Sequence, residues 1–289
     1  MSRLLNANFA RLFESRVFKI CAVISAVYGI GKVIWNIIFP AYGFVLVNNR
    51  DLHLFDMAGI DIFIITAIFI CLFIGQEYDG AMRNKIIVGA ARVSIYLANL
   101  VTCLAGAGML YIIFSGSLLI TFALSGGKFV LPVSTVALHI LLQLFSVLSI
   151  SAVFTVFSMV IHQKSASAIL SLVMLFFLVL AESFCYSRLN IIENTNFVYD
   201  EITDSVIERE YNEDELGEMA ALRFALNINP AGQQSRLHTS YCNELYRVID
   251  PQFVTDNDPA PVQIIPYSLG IIAVSTAVGV IIFRRLNLK

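Results

Sequence analysis

Charged residues are scarce in this chain of 289 residues: 14% are Asp, Glu, Lys or Arg, against about 25% in typical soluble domains. Hydrophobic residues make up 58%, and the mean hydropathy is +0.78. A soluble globule of this composition would leave large apolar patches in water, whereas a disordered chain would be far more polar. The composition therefore predicts an integral membrane protein.

Catalytic motifs are also missing. The sequence has no H-E-x-x-H zinc motif and no G-x-S-x-G nucleophile elbow. Gly126-Gly127-Lys128 resembles the end of a P-loop, but Phe122 stands in place of its first glycine and Phe129 in place of the Ser or Thr that binds magnesium. We predict no enzymatic activity and no metal site in this chain. Since the sequence has no basic footprint for DNA, no nucleic-acid partner is predicted either.

Six stretches are apolar and long enough to cross a bilayer, which takes about 20 mainly apolar residues. They are residues 17–39, 59–75, 97–124, 133–161, 166–184 and 264–283. The third and fourth are the clearest, because no charged residue occurs between Arg92 and Lys128 or between Lys128 and Lys164. The second is short and begins beside Asp61. We predict an all-α integral membrane protein with six transmembrane helices, five of them within residues 17–185.

Basic residues near the ends of these spans predict the orientation, because short cytoplasmic loops retain positive charge. Three connections are rich in them: Arg3, Arg11, Arg16 and Lys19; Arg83, Lys85 and Arg92; Arg284, Arg285 and Lys289. The two short alternate connections have only Arg50 and Lys128. Both termini are therefore expected in the cytoplasm, with residues 264–289 forming the sixth helix and a basic tail.

Acidic residues are concentrated in residues 186–263, which hold 14 of the 21 acids and only five arginines. The net charge of this segment is −9, against +7 for the rest of the chain. A loop of this length usually has structure of its own. Asn212 and Glu215 have the spacing of a helix N-cap and its box partner, and Pro230 should end the helix that follows. We predict an acidic extracellular domain with a small helical cap outside the membrane.

Residues 1–16 precede the first span, whose apolar run continues at full spanning length to Phe39 with no A-x-A cleavage site. Leu5, Phe9, Leu12 and Phe13 recur with helical periodicity, which predicts an amphipathic helix in the membrane interface. The alternative is a charged cytosolic tail.

Five cysteines divide into two groups. Cys21, Cys71 and Cys103 lie in or beside spans, where a thiol is ordinarily a small apolar group. Cys185 and Cys242 are predicted outside, where an oxidising environment permits a disulfide between them. Two cysteines in a loop are also compatible with two free thiols.

Polar residues inside the predicted spans have two interpretations each. On the fourth span, His139 and Gln143 either bond neighbouring helices or line a translocation path. Lys32 is 13 residues beyond Lys19, or about 20 Å along the first span. A charge at that depth is a functional hypothesis by default, with snorkelling or pairing with Asp61 as structural alternatives.

The connection between the second and third spans lies at the predicted cytoplasmic face. Glu77 and Asp79 precede Arg83 and Lys85, an order that suits a short helix and its dipole. Such a helix, at about residues 76–92, would offer a mixed-charge surface to a cytosolic partner.

This connection resembles a stretch of the ABC-2 type permeases, the membrane subunits of bacterial ABC exporters. The resemblance rests on an acidic residue at the end of the second span, a glycine, Arg83-Asn84-Lys85-Ile86-Ile87-Val88-Gly89 and Ser94-Ile95-Tyr96-Leu97-Ala98-Asn99. Asn229-Pro230-Ala231-Gly232-Gln233 is similar to a second recurring stretch. The six spans, the N-terminal helix and the large loop before the last span fit the same family, although its simplest members have a short re-entrant hairpin in place of this loop.

The resemblance implies that this chain binds no cofactor and that a separate ATPase subunit binds ATP and magnesium. It also implies a dimer with a second permease copy or a paralogue in the bacterial plasma membrane. Residues 1–16 would be the elbow helix, and residues 76–92 the coupling helix that contacts the ATPase. The implied contact residues are Glu77, Tyr78, Gly80, Arg83, Asn84 and Lys85, with His162, Gln163 and Lys164 as a second contact.

Two functions stay open on the sequence alone. As an exporter subunit, the chain would suit an amphipathic or cationic cargo such as an antimicrobial peptide, because its spans are apolar and its exterior is acidic. Lys32, His139 and Gln143 are then candidate path residues. The alternative is a membrane sensor or scaffold without transport, whose acidic outer domain binds a ligand.

Overall fold

A computed structural model of the chain describes residues 2–38, 59–78, 81–127, 129–161, 163–194, 197–200, 205–208, 211–249 and 261–285. Most of these residues are helical. The helices are α1 (Ser2–Glu14), α2 (Arg16–Ile38), α3 (Gly59–Tyr78), α4 (Ala81–Ile87), α5 (Arg92–Leu124), α6 (Val133–Val160), α7 (Lys164–Asn194), α8 (Glu213–Ile228), α9 (Pro230–Ile249) and α10 (Ile264–Arg285). A 3-10 turn at Pro261–Gln263 leads into α10.

Six of the described helices are long and apolar enough to cross a membrane: α2, α3, α5, α6, α7 and α10. The six-helix architecture predicted from the sequence is thus confirmed. Two boundaries differ clearly from the prediction. The helix α5 begins at Arg92 rather than at residue 97, and α7 continues past residue 184 to Asn194.

Two of the six helices form the centre of the bundle. Within the most apolar 18-residue stretch of each helix, 67% of the residues are buried in α3 and 61% in α6. The corresponding share is 28% in α2 and 17% in both α7 and α10. The helix α6 packs against α3, α5 and α10, and α3 also packs against α7. The outer faces of α2, α7 and α10 are apolar and exposed, as expected where lipid surrounds them.

Glycines allow the closest contacts between these helices. A Cβ atom on Gly29 of α2 would lie 2.6 Å from the backbone oxygen of Phe114 in α5. At Gly279 of α10, a side chain would displace the hydroxyl of Tyr96 in α5. Small residues at helix contacts are typical of membrane bundles, because they let the backbones approach.

The helix α1 packs along α5 through a face that overlaps the predicted one, because Leu12 is in the core and Phe9 packs against it. Asn8 and Leu12 are buried, whereas Phe13, expected on the apolar face, is 54% exposed. The amide of Asn8 donates a hydrogen bond of 2.7 Å to Oδ1 of Asn99 in α5. This bond turns a polar residue inwards, which the pattern of apolar residues does not reveal.

The helices α8 and α9 form a helical hairpin with its turn at Asn229. The predicted N-cap is confirmed, because Asn212 and Glu215 form a capping box at the start of α8. Pro230 follows the end of α8 as predicted, because α8 stops at Ile228, but Pro230 also begins a second helix. It is the first residue of α9, where the missing N–H of proline costs nothing.

The turn of this hairpin lies among the spans rather than outside them. Ser146 Oγ donates to the Pro230 backbone oxygen at 3.1 Å, and Asn229 Nδ2 donates to the Leu178 backbone oxygen at 2.7 Å. Ser146 and Leu178 are close to the midpoints of α6 and α7. The predicted cap is therefore a hairpin that reaches into the bundle, and the polar turn is tolerated there because protein groups satisfy its hydrogen bonds.

The helix α7 extends beyond the predicted span, and the added turns pack against α8. Leu189 and Ile192 of α7 share an apolar cluster with Met219 of α8. A helix therefore runs through the predicted domain boundary at residue 186. Arg188 also forms two hydrogen bonds, of 2.7 and 3.1 Å, with the carboxylate of Glu218.

A short antiparallel pair of strands lies between α7 and α8. The strands β1 (Phe197–Asp200) and β2 (Ser205–Glu208) pair Phe197 with Glu208 and Asp200 with Ser205. The described fold is otherwise all-α as predicted, and this pair of four-residue strands is a local exception. Extended pairing suits this segment because Val and Ile recur in β2, where β-branched residues are favoured.

Neither Cys185 nor Cys242 forms a disulfide, which is the second of the two arrangements that the sequence leaves open. Cys185 packs beside the apolar cluster of Leu189. Cys242 Sγ instead lies 3.3 Å from Nε2 of His238, one turn earlier on α9.

Candidate docking site at the predicted cytoplasmic end

The connection between α3 and α5 forms a short helix rather than one long coupling helix. The helix α3 continues to Tyr78, and α4 then covers only 7 residues, Ala81–Ile87. Gly89 follows with φ of +85°, a backbone conformation that glycine adopts readily. The predicted helix over 76–92 is therefore divided, with α4 ending before this turn.

Glu77 is the centre of a buried ionic cluster at this end. Its carboxylate is fully buried and lies 2.7 Å from Nη2 of Arg11 in α1 and 2.6 Å from Nζ of Lys85 in α4. Lys85 also donates to Oδ1 of Asn8 at 2.7 Å. We call Asn8, Arg11, Glu77 and Lys85 the Glu77 cluster. It ties α1 and α4 to the last turn of α3.

The cluster continues into α5 and α6 through hydrogen bonds. Asn8 donates to Asn99 of α5, and Asn99 Nδ2 lies 3.4 Å from the sulfur of Met159 in α6. The hydroxyl of Tyr78 donates to the backbone oxygen of Met159. The guanidinium of Arg11 also lies 4.2 Å from the centre of the Phe73 ring, a cation–π contact.

This geometry changes the expected docking surface. Glu77 and Lys85 bond within the chain rather than facing a partner, and Tyr78 is half-buried against α6. Asn84 is exposed, and its contact with a partner stays a prediction. Gly80 and the side chain of Arg83 lie outside the described residues, so their predicted contacts stay predictions.

The residues after α4 provide an exposed apolar surface that sequence reasoning missed. Ile87 is 71% exposed and Val88 is 86% exposed. We call these two residues the apolar tip. Their exposure follows from the Glu77 cluster, because Lys85 holds one side of α4 against the bundle. The sequence feature that could have predicted this surface is the apolar run Ile86-Ile87-Val88 between Lys85 and Gly89.

The second predicted contact lies between α6 and α7. Gln163 is exposed, whereas His162 and the side chain of Lys164 lie outside the described residues. The bond from Tyr78 to Met159 brings the end of α3 beside the end of α6. Both predicted contacts are thus at the same end of the bundle.

The structure separates the three candidate path residues into two groups. Lys32 Nζ lies 2.8 Å from Oδ2 of Asp61 in α3, which is one of the two structural alternatives given for it. His139 and Gln143 instead face the hairpin. The His139 ring packs edge-on against Tyr241 of α9.

A chain of hydrogen bonds links Gln143 to the hairpin. The hydroxyl of Tyr111 in α5 donates to Gln143 Oε1 at 2.9 Å, and Gln143 Nε2 donates to Gln234 Oε1 of α9 at 3.1 Å. Further along α6, Ser158 bonds to the sulfur of Cys71 in α3 at 3.1 Å. Gln143 and Ser158 of α6 therefore bond neighbouring helices, as the first of the two interpretations predicts for Gln143.

Sequence reasoning missed one acidic residue in the fifth span. Glu182 of α7 is 8% exposed and accepts hydrogen bonds from Ser183 and from Ser235 of α9. Its place between apolar residues of a predicted span was the available signal. Glu182 thus holds the hairpin against α7.

Comparison with known proteins adds no relative to these observations. No protein-family model matches the sequence, and no curated protein matches it. A functional assignment therefore depends on the residues and contacts described above.

Proposed function

We propose that this chain is the permease subunit of an ABC-2 type exporter in a bacterial plasma membrane. In this proposal, a separate ATPase subunit binds ATP and magnesium and docks at the end of the bundle formed by α4. A second permease copy or a paralogue completes the transporter. The cargo class that suits the apolar spans and the acidic outer segment is an amphipathic or cationic peptide.

The Glu77 cluster is the observation that carries the proposal. A coupling element must transmit the movement of the ATPase to the spans. It can do so only if it is firmly attached to them. The buried carboxylate of Glu77 holds α4 and α1 to α3 through two ion pairs. Because buried pairs are costly to separate, α1, α4 and the end of α3 should move as one body.

The apolar tip supports the docking step. Two consecutive apolar side chains with exposures of 71% and 86% are poorly suited to water. Apolar anchors that fill a pocket contribute most of the energy at many protein interfaces. In the proposed complex, Ile87 and Val88 fill a groove on the ATPase, and Asn84 and Gln163 bond at its edge.

The hairpin supports the resemblance from the opposite side of the bundle. The stretch Asn229-Pro230-Ala231-Gly232-Gln233, similar to one that recurs in ABC-2 permeases, forms its buried turn. Gln143, Ser146 and Glu182 bond this hairpin to two spans. When the spans separate, water or polar groups of the cargo can replace the hydrogen-bond partners of the hairpin. The hairpin can then move to a second position.

Transport in this proposal is a shift between two states of the permease. ATP binding brings the two ATPase subunits together, and the tips of the two permeases carry that movement to α3 and α5. A ligand shifts such an equilibrium only through its different affinity for the two states. The ATPase must therefore contact the tip differently before and after ATP binding.

Purification of the chain from its native membrane in mild detergent tests the proposal. A co-eluting protein with a Walker A motif and ATPase activity is expected. Val88→Asp should release this partner without loss of the folded permease, because Val88 is exposed. The matched control is Leu124→Asp, which changes an apolar residue of 84% exposure at the other end of α5.

Two outcomes would contradict the proposal. A preparation that reproducibly lacks an ATPase but contains another partner would favour the sensor or scaffold. Equal retention of the ATPase by wild type and Val88→Asp would exclude the apolar tip as the docking surface.

A further inference from the structure

One acidic residue differs from the others in the spans of the described chain. These spans contain four acidic side chains, at Asp61, Glu77, Glu182 and Glu193. Three of the four form ion pairs with a lysine or an arginine of another helix. Glu182 of α7 is the exception, because no lysine or arginine among the described residues pairs with it. An ionisable residue at such a position is a functional hypothesis by default.

Hydroxyl groups hold the Glu182 carboxylate in place of a cation. It accepts one hydrogen bond of 3.2 Å from Ser183 and another from Ser235 of α9. Because Glu182 is only 8% exposed, water compensates little of its charge. A carboxylate can accept about four hydrogen bonds. The two neutral donors therefore leave capacity for a cationic donor.

The carboxylate lies beside an exposed face of α7. Ser183, which bonds to one of its oxygens, is exposed. The apolar side chains of Leu180 and Phe184 are also exposed on this helix. A ligand that approaches from this side meets a negative group next to an apolar surface. Such a surface suits a ligand that is both apolar and cationic.

The chemistry around Glu182 favours an organic cation over a metal ion or a lipid headgroup. Calcium needs six to eight oxygen ligands, and no group of acidic, histidine or cysteine side chains in the described residues could hold a metal ion. A zwitterionic headgroup would need a cation for its phosphate, but Arg188, the next cation along α7, already bonds to Glu218. An ammonium or guanidinium group of a peptide needs only the carboxylate.

A cation bound to Glu182 competes with the hairpin. Ser235 belongs to α9, so its bond to Glu182 is one of the contacts that hold the hairpin against α7. Tyr186 and Thr239, one turn further along both helices, form another contact at 3.1 Å. We propose that Glu182 binds an ammonium or guanidinium group of the cargo and that this binding loosens the hairpin from α7. The inference rests on the proposed function, because it names the residue that recognises a cationic cargo.

Peptide binding to the chain without its ATPase tests the inference. The protein is placed in nanodiscs of phosphatidylcholine and titrated into a labelled amphipathic peptide of leucine and lysine, with empty nanodiscs as the background. A second peptide has glutamine in place of every lysine. Fluorescence anisotropy should show that wild type binds the lysine peptide at least about tenfold more tightly, the ratio expected for one charge-assisted hydrogen bond.

Three variants sharpen this test. Glu182→Gln keeps the shape of the side chain and should remove most of the preference for lysine. Glu193→Gln is the matched control, because it removes the same charge from the same helix at a residue that Arg223 already pairs. Ser235→Ala should tighten binding of the lysine peptide by about threefold, the effect of one neutral hydrogen bond, because it frees an oxygen of Glu182.

Equal preferences in wild type and Glu182→Gln would overturn the inference. Weaker binding by Ser235→Ala would refute the competition with the hairpin. If partial replacement of phosphatidylcholine by phosphatidylethanolamine abolished the difference between wild type and Glu182→Gln, a lipid ammonium would occupy the site instead. Co-purification of an ATPase together with an unchanged preference in Glu182→Gln would refute this inference and leave the exporter proposal standing. A preparation without an ATPase that still showed the loss in Glu182→Gln would refute the exporter and leave the cation site standing.

Discussion

Replacement of Glu77 by Gln is the sharpest test of the packing at the α4 end of the bundle. The change keeps the shape of the side chain but removes its charge. Arg11 and Lys85 then face each other's charge without a carboxylate between them. The exposed residue Glu14 of α1 provides a matched control in Glu14→Gln.

The expected magnitude follows from burial. Removing one partner of a buried ion pair costs about 3 to 5 kcal/mol. Because the side chains of Arg11 and Lys85 are 27% and 14% exposed, water screens part of the remaining repulsion. We therefore expect the low end of the range, about 3 kcal/mol. In a chain of this size each kcal/mol lowers the midpoint of unfolding by about 2 °C.

Thermal unfolding of the detergent-purified protein is the assay. Glu77→Gln should lower the midpoint by about 6 °C, whereas Glu14→Gln should change it by less than about 1 °C. The double variant Glu77→Gln with Lys85→Met should lose less stability than the two single changes added together, because both remove the same pair. If Glu77→Gln behaved like Glu14→Gln, the carboxylate would not hold α1 and α4, and the proposed coupling path would lose its basis.

Three further predictions concern the hairpin and its attachment to α7. Gly232→Ala should lower the unfolding midpoint, because the new Cβ would lie 2.5 Å from a backbone oxygen of α8, whereas Gly217→Ala should be neutral or stabilising since nothing lies near that position. Asn212→Ala should cost about 1 kcal/mol of stability in the same assay through loss of the capping box. The hydrogen bond from Arg188 lowers the pKa of Glu218. The pair therefore contributes its full stabilisation above the usual Glu pKa of about 4.3. This contribution is lost as the pH falls through the lowered pKa of Glu218. Unfolding midpoints measured from pH 6 to pH 3 should therefore differ between wild type and Arg188→Gln at the upper end and converge at the lower end.

The sequence predicts the spans well because the membrane imposes a simple rule. A stretch of about 20 residues without charge has few alternatives to a transmembrane helix. Local spacing also predicts the capping box of Asn212 and Glu215, since both partners lie within one turn of helix. The pairing of Lys32 with Asp61 was one of two structural alternatives, because a charge inside a span needs a nearby partner or a route to water.

Residues that depend on distant parts of the chain were harder to predict. Glu77 looks like a surface residue in a charged connection, but Arg11 of α1, 66 positions earlier, makes its burial favourable. Likewise, the acidic composition of residues 186–263 predicts a domain outside the membrane and conceals the apolar and amide residues that insert the hairpin. Composition averages over a segment, whereas burial depends on what each individual residue meets.

The Glu77 cluster also explains why the docking surface is apolar although the connection is charged. One carboxylate serves two cations, so Lys85 is committed to the interior and cannot form an ion pair with a partner at the same time. If the ATPase contact depended on Lys85, docking would have to break the pair that transmits the movement. The apolar tip avoids this conflict, because Ile87 and Val88 can bind while the cluster stays intact.

A docking contact of this kind should depend little on salt, since apolar burial is not screened by ions. Retention of the ATPase partner should therefore survive a wash at 0.5 M salt, and release at that ionic strength would indicate that charged residues form the contact instead.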